Sequence, residues 1–392
     1  MSKLKLPDPG FVFWPVGCGD STTVAVNKDT IVQIDIHHVE DAEKDEDPRI
    51  PVLDRLIELL PKKNGKPYLA AFGATHLDKD HVQGFDELLK RDVVIGDLWF
   101  TPRILWEQQQ DDQTELCEDA KVFVKEAERR IKLMKKQGTV GSGDRIRIIG
   151  YHDVLKEHSD IYKDLPEGAV TTPGSTFTHI DGEDQSERFS AFVHAPFKDD
   201  AEGERNDTSF ALQVTLSDGD SSGRALLLGD LSYPTLKRIF DRSKQKTLAW
   251  EAFLSPHHCS KSAMYWKGEG EEQETLKRDI LEAIEKAKED DGYIIASAPE
   301  IPASDEKGAN PPHAKAAKRY RELVDDGHFL CTGEHPNTTS PEPVVFELDE
   351  DGLALRAAEQ DSKASSASLS KAVEAARGAA APAVQPVGFG HG

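Results

Sequence analysis

The chain reads as a mixed α/β protein built around one large domain. Short runs of β-branched and aromatic residues recur between residues 11 and 348, and amphipathic helical stretches lie between them. Several of those runs end in carboxylates or imidazoles instead of ordinary turn residues. Of the 392 residues, 38% are hydrophobic, enough to supply a sizeable core.

In order along the chain, residues 11–14 and 22–26 predict two strands around the turn Gly17-Cys18-Gly19-Asp20-Ser21. Residues 30–35 predict a third, ending on Asp35. Val52, Leu56, Ile57 and Leu60 have helical spacing. Residues 68–74 predict a strand running straight into a His/Asp motif, with a short helix over 82–90. Leu116, Ala120, Phe123, Val124, Ala127, Ile131 and Met134 form one apolar stripe, read as part of a helical insertion over about 104–165. Residues 138–200 mix short strands with polar loops that patterning does not place. Strands are predicted again over 209–216, 224–228, 292–297, 329–332 and 343–348, with helices over 275–288 and 312–325. The domain is expected to span 1–356. From 357 to 392 the Ala/Ser/Gly/Pro composition predicts a tail with too little apolar surface to offset its ordering entropy.

Charge and cysteine usage narrow the function classes. The formal net charge is −23, which repels long nucleic acid and anionic membranes at a distance. It does not exclude an anionic substrate at a site whose local charge is set by bound metal. Cys18, Cys117, Cys259 and Cys331 are widely spaced and read as free thiols of a reducing compartment. No apolar run approaches the roughly 20 residues that span a bilayer, and residues 1–9 do not form a signal peptide. A cytoplasmic protein without a membrane segment is the expectation.

The strongest chemical signal is His76-Leu77-Asp78-Lys79-Asp80-His81 at a predicted strand end. Four imidazole and carboxylate ligands within six residues are too many for one open tetrahedral ion, so they predict two adjacent divalent ions, zinc or manganese. Downstream, Ala225-Leu226-Leu227-Leu228-Gly229-Asp230 delivers a carboxylate at the end of an apolar run, and burial there costs several kcal/mol without a partner. Phe253-Leu254-Ser255-Pro256-His257-His258-Cys259-Ser260-Lys261 delivers paired imidazoles in the same way, one as a ligand and the other as a catalytic or substrate-facing group.

The ordered set Val16–Ser21, Ile34-Asp35, Thr75–Gly84, Asn206–Ser209, Leu228–Asp230 and Pro256–Ser260 resembles the metallo-β-lactamase superfamily, specifically its ComEC-like branch. The resemblance covers about residues 11–350 and implies a four-layer αββα sandwich with metals at one edge. It implies His76 and Asp78 on one ion, Asp80 and His81 on the other, Asp230 bridging and His257 completing the second site. Three departures stand out. Asn206 occupies the place of the usual third-motif histidine; His194 is either a substitute for it or a structural histidine of the run Phe192-Val193-His194-Ala195-Pro196. Cys259 replaces a glycine, adding bulk expected beside the metals. Ile36-His37-His38 replaces a glycine-rich segment.

The expected chemistry is hydrolysis by a metal-bridging hydroxide. Asp80 would orient the nucleophile and His258 would protonate the leaving group. Ser260, Lys261 and His313 are candidate substrate contacts, and Asp20 and Asp35 are expected to support the site. A phosphodiesterase or nuclease is favoured, acting on a nucleotide or short nucleic acid. The alternatives are hydrolysis of a lactone or thioester, and a partner-dependent metalloprotein of a defence or conjugation system that docks through 104–165 or the tail.

Overall fold

Strands that alternate in side-chain direction can bury both faces only if each sheet is covered twice, and this chain meets that demand with two large sheets. The computed structural model describes residues 4–44, 47, 49–104, 116–158, 160–200 and 205–357. Contacts divide the chain into Leu6–Arg356, which holds every element below, and the termini Met1–Lys5 with Ala357–Gly392. The tail expected from residue 357 lies almost wholly outside the described residues.

The first sheet runs in the order Gly352–Leu355, Val344–Asp349, Gly10–Phe13, Thr22–Asn27, Thr30–Ile34, Lys66–Gly73, Val94–Phe100, Arg145–Ile149 and Val170–Thr171. It is antiparallel up to Thr30–Ile34 and parallel beyond, with Ile34 opposite Gly73 and Gly73 opposite Trp99. The second sheet runs Phe329–Cys331, Lys288–Ala296, Trp250–Leu254, Ser222–Leu227, Ala211–Ser217, Phe189–Ala195 and Thr176–Phe177. Its parallel part puts Leu227 opposite Leu254 and Leu254 opposite Ile295.

One core cluster joins alternate residues of both sheets: Phe11, Phe13, Val24, Val26, Val32 and Ile34 with Leu212, Val214, Leu216, Ala225, Leu227 and Leu254. The opposite pleat of the second sheet, Leu226, Phe253, Ile294 and Ala296, packs with Leu236, Ile239, Ile280, Ile284, Ala316 and Tyr320. These belong to the helices Tyr233–Arg242, Arg278–Ala287 and Ala314–Arg321. Against the first sheet, the Phe72 ring lies 5.1 Å from Phe85 and 6.2 Å from Phe123. Phe123 belongs to the helix Glu118–Gln137, whose apolar stripe is the predicted one. Glu118 and Asp119 in its first turn and Lys135 and Lys136 in its last complement the helix dipole.

That helix joins two parallel strands, Val94–Phe100 and Arg145–Ile149, as a crossover. The span 104–165 read as an insertion therefore includes a strand of the main sheet; residues 105–115 lie outside the described residues. The predicted 275–288 helix begins later, at Arg278, because Thr275–Leu276 pairs with Tyr265–Trp266. Sequence patterning leaves Val94–Phe100 and Tyr233–Arg242 unmarked. No described helix is long and apolar enough to cross a membrane.

Candidate metal centre

Parallel strands deliver ligand-binding residues at their carboxyl ends, and the site lies there in both sheets. Thr30–Ile34 runs into Asp35, and Lys66–Gly73 into Thr75 and His76. Ser222–Leu227 runs into Asp230, and Trp250–Leu254 into His257 and His258. The Thr75–His81 loop is tied to the Gly17–Ser21 turn by the Asp20 amide, which donates to the Asp80 carbonyl at 3.1 Å. Gly19 makes the approach possible: a Cβ there would lie 2.2 Å from His37 Nδ1 and 2.8 Å from that same carbonyl.

The side chains converge on Asp230, which is 3% exposed. Its Oδ1 lies 3.3 Å from His81 Nε2. Its Oδ2 lies 3.6 Å from His257 Nε2, 3.6 Å from His258 Nε2 and 3.8 Å from His76 Nε2. Asp78 Oδ2 is 3.5 Å from His76 Nε2, and Asp80 Oδ2 is 3.2 Å from His258 Nε2. The structure thus brings together His76, Asp78, Asp80, His81, Asp230 and His257, and adds His258 and Asp20.

The far nitrogens of three of these rings face oxygens. His81 Nδ1 lies 2.8 Å from Asp35 Oδ2. Asp35 is itself fixed by the Thr75 amide and hydroxyl, each donating at 2.7 Å. His258 Nδ1 lies 3.3 Å from Asp20 Oδ1, close enough for charge attraction but without the geometry of a hydrogen bond. His76 Nδ1 faces Thr75 Oγ1 at 3.1 Å and Ser209 Oγ at 3.3 Å. A carboxylate only accepts, so the Asp35 contact fixes the proton on His81 Nδ1. Metal-ligating histidines are held in this way, with the outer nitrogen on an oxygen and the inner lone pair free. The inner atoms are orphans: His76 Nε2, His81 Nε2, His258 Nε2 and Asp230 Oδ1 are buried with no hydrogen-bond partner. Each such group costs about 1–3 kcal/mol if nothing meets it.

Electrostatics give the same sign. Burial opposes the charged form of every group here; attraction wins at His81, His258, Asp230 and Asp78, whereas burial holds the Asp35 carboxyl above and the His257 imidazole below their usual pKa values. Burial disfavours the His81 imidazolium, but Asp230 and Asp35 outweigh it and raise its pKa well above the usual value. Burial likewise disfavours the charged His258 ring, and Asp230 and Asp20 reverse that. Burial pushes the Asp230 carboxyl up, but His81 and His258 hold it well below the carboxylate range. Asp78, beside His76 and paired with Arg205, ends at about 2 despite burial. The cluster demands positive charge, which protons or a cation can supply. Asp20, His81, Asp230 and His258, all buried, could hold a metal ion; their ligand atoms lie within 4.8 Å of one another.

The backbone is strained where the imidazoles enter. His257 (φ 51°, ψ 54°), His258 (φ 52°, ψ 44°) and Cys259 (φ 64°) are three consecutive left-handed residues. Each costs roughly 1–2 kcal/mol for a non-glycine residue, and such strain concentrates at functional sites. The turn separates the two rings by depth: the His258 side chain is 1% exposed and that of His257 27%.

Other expected residues lie elsewhere. His194 is held on both nitrogens, by Ser243 Oγ at 2.9 Å and the Thr247 carbonyl at 2.8 Å, so it is a structural histidine. Cys259 points away from the metal cluster into the helix-side core with Met264, Tyr320 and Cys331, so its bulk does not narrow the site. Ser260 caps the following turn by accepting from the Ser262 amide at 3.2 Å. Lys261 pairs with Glu274 at 2.9 Å. His313 accepts from the Lys261 amide at 3.3 Å and donates to the Ala309 carbonyl at 3.1 Å. These three support the Pro256–Lys261 loop internally. His38 is buried beside Glu43 at 3.2 Å, and His37 packs half-buried against Gly19.

Sequence reasoning placed Asp20 among the supporting groups and assigned Cys18 and Arg205 no role. Asp20 follows a two-glycine turn, a signal that could have placed it nearer the centre; Arg205 carries no such signal. Neither the family models nor the curated proteins compared with this chain match it.

Proposed function

We infer that the protein is a metal-dependent hydrolase of the metallo-β-lactamase type, with the four-layer αββα arrangement and a dinuclear centre around Asp230. The observation that carries this reading is the convergence of three buried, unpartnered histidine Nε2 atoms on one buried carboxylate. The donor set suits divalent ions: imidazole nitrogens and carboxylate oxygens, with the outer nitrogens of His81 and His76 held by oxygens. The layering rests on the core shared by the two sheets and on helices packed against the opposite pleats.

His76, Asp78 and Asp230 would hold one ion, and Asp80, His81, His258 and Asp230 the other. When bound, the ions supply Lewis acidity and a nucleophile at neutral pH. The remaining chemistry belongs to the chain. Asp35 orients His81, and Asp20 lies beside His258 as a charge partner. Arg205, paired with Asp78, brings positive charge to the rim, where an anionic substrate would arrive. The depth difference exchanges the two adjacent imidazoles relative to the expected roles: buried His258, facing Asp80 and Asp230, would be the ligand, and the more exposed His257, which burial keeps neutral, would be the substrate-facing group. The ComEC-like pattern makes a phosphodiester the substrate class, and the net charge of −23 favours a nucleotide or short strand over long duplex.

The test is hydrolysis by apo protein reloaded with zinc or manganese, on bis-p-nitrophenyl phosphate, single-stranded and duplex DNA, RNA, and a lactone and thioester panel. Metal-dependent phosphodiester cleavage that disappears in Asp230→Asn is the expected result. Turnover of a lactone or thioester alone would overturn the substrate class, and silence on every substrate despite bound metal would overturn the reading as an independent hydrolase.

A further inference from the structure

One thiol reaches the metal cluster, and it is not the one beside the paired histidines. Cys18, Asp80 and His258 present ligand atoms within 4.8 Å of one another. His258 is buried, and its Nε2 has no hydrogen-bond partner while lying 3.2 Å from Asp80 Oδ2. Cys18 sits between Gly17 (φ 81°) and Gly19 (φ 154°), conformations open to glycine that turn the backbone and aim its side chain at the cluster. The turn is anchored on both sides. The Asp20 amide donates to the Asp80 carbonyl, and Ser297 Oγ donates to the Gly19 carbonyl at 2.5 Å. Among the described residues the thiol's hydrogen bond is a weak one, a donation to the Pro311 carbonyl at 3.5 Å. Asp80 and His258 therefore stand with an anchored, half-buried sulfur as their third neighbour.

We propose that Cys18 is a thiolate ligand of the metal held by Asp80 and His258, giving that position a nitrogen, oxygen and sulfur donor set that selects zinc over manganese. The inference rests on the metal-centre reading above and adds the identity of a ligand and of the metal. On binding, the Cys18 S–H bond gives up its proton to solvent and the sulfur lone pair forms the bond to the ion, so no electron is transferred. Thiolate is a soft ligand that suits zinc, whereas manganese prefers carboxylate and water oxygens. Cys259 cannot take this role, because its side chain is enclosed in the helix-side core.

The experiment is a cobalt(II) titration of the full chain and of its Cys18→Ser variant, followed by absorbance. Histidine and carboxylate ligation gives visible d–d bands, and a thiolate adds an intense near-ultraviolet sulfur-to-cobalt band. The expected result is both features in the wild type and only the d–d bands in Cys18→Ser, with zinc affinity falling by more than the roughly 10–100-fold lost with an outer hydrogen-bonding partner and manganese affinity little changed. Visible bands without the sulfur band in the wild type, or a sulfur band that survives Cys18→Ser, would overturn the proposal and leave the metal centre standing. No cobalt binding by the wild type would overturn both. Should Cys18→Ser fail to fold, iodoacetamide labelling of the wild type decides. Zinc must slow modification of Cys18, mapped by peptide mass, and manganese must not; equal labelling with and without zinc overturns the proposal.

Discussion

His81 and His194 are both buried, one 0% and the other 4% exposed, yet their surroundings ask for opposite things. His194 has a neutral partner on each nitrogen, and burial lowers its pKa to about 4. It lines a cavity of about 520 Å³ with Tyr151, Phe197, Arg242 and Lys246, and among the described residues no carboxylate lines that cavity. His81 has Asp35 on one nitrogen, and its other nitrogen faces Asp230 without a hydrogen-bond partner. Burial alone does not mark a metal ligand. What separates the two rings is whether the second nitrogen is satisfied from within the protein and whether carboxylates face it.

The largest effect expected from breaking that contrast is at its centre. Asp230→Asn removes the charge on which the imidazoles converge, and should lower metal affinity by more than the roughly 10–100-fold seen for outer hydrogen-bonding partners. Metal content after dialysis checks it. Asp35→Asn leaves every inner atom in place and loosens only the support of His81 and Thr75, so a loss of about 10–100-fold is expected. An unchanged affinity would mean that Asp35 serves the fold alone. Gly19→Ala tests the turn without replacing a ligand. Its Cβ would meet His37 and the Asp80 carbonyl, with a cost of about 1–3 kcal/mol in urea unfolding and weaker metal binding as the Asp80 loop is displaced.

His194 supplies the pH arm of the comparison. Its folded pKa, about 4, lies below the unfolded value near 6.5, so the unfolded chain binds the proton first. Stability from this group is complete above pH 6.5 and falls as pH drops toward 4. Urea midpoints at pH 7.5 and 5 should therefore differ more for the wild type than for His194→Gln, and equal slopes would count against the buried neutral ring. The smallest effect belongs to Lys261→Ala, which removes a half-exposed ion pair with Glu274 worth at most about 1 kcal/mol. A marked rise in KM in that variant would restore Lys261 as a substrate contact.

The sequence was most legible where a strand pattern ran directly into ligand-type residues. His76–His81, Asp230 and His257-His258 could be picked out because apolar runs fix where each strand ends, and the ends meet at one edge. The strand Val94–Phe100 went unmarked because its alternation is broken by Gly96 and the charged Asp97. Depth at the paired histidines was not legible, since it follows from three left-handed residues that no sequence pattern signals. The same turn sends the Cys259 thiol into the helix-side core, while Cys18, which looks like an ordinary turn residue, lies in the cluster. His194 looked like a ligand because its partners, Ser243 and Thr247, come from about 50 residues away.

The central claim, that Asp230 and the rings around it form a metal centre, is tested most directly by anomalous diffraction from crystals soaked in zinc and collected at the zinc edge. The account predicts strong anomalous peaks between Asp230 and the Nε2 atoms of His76, His81 and His258, absent in crystals of Asp230→Asn. Density in which those nitrogens contact only water or one another, at saturating zinc, would contradict it.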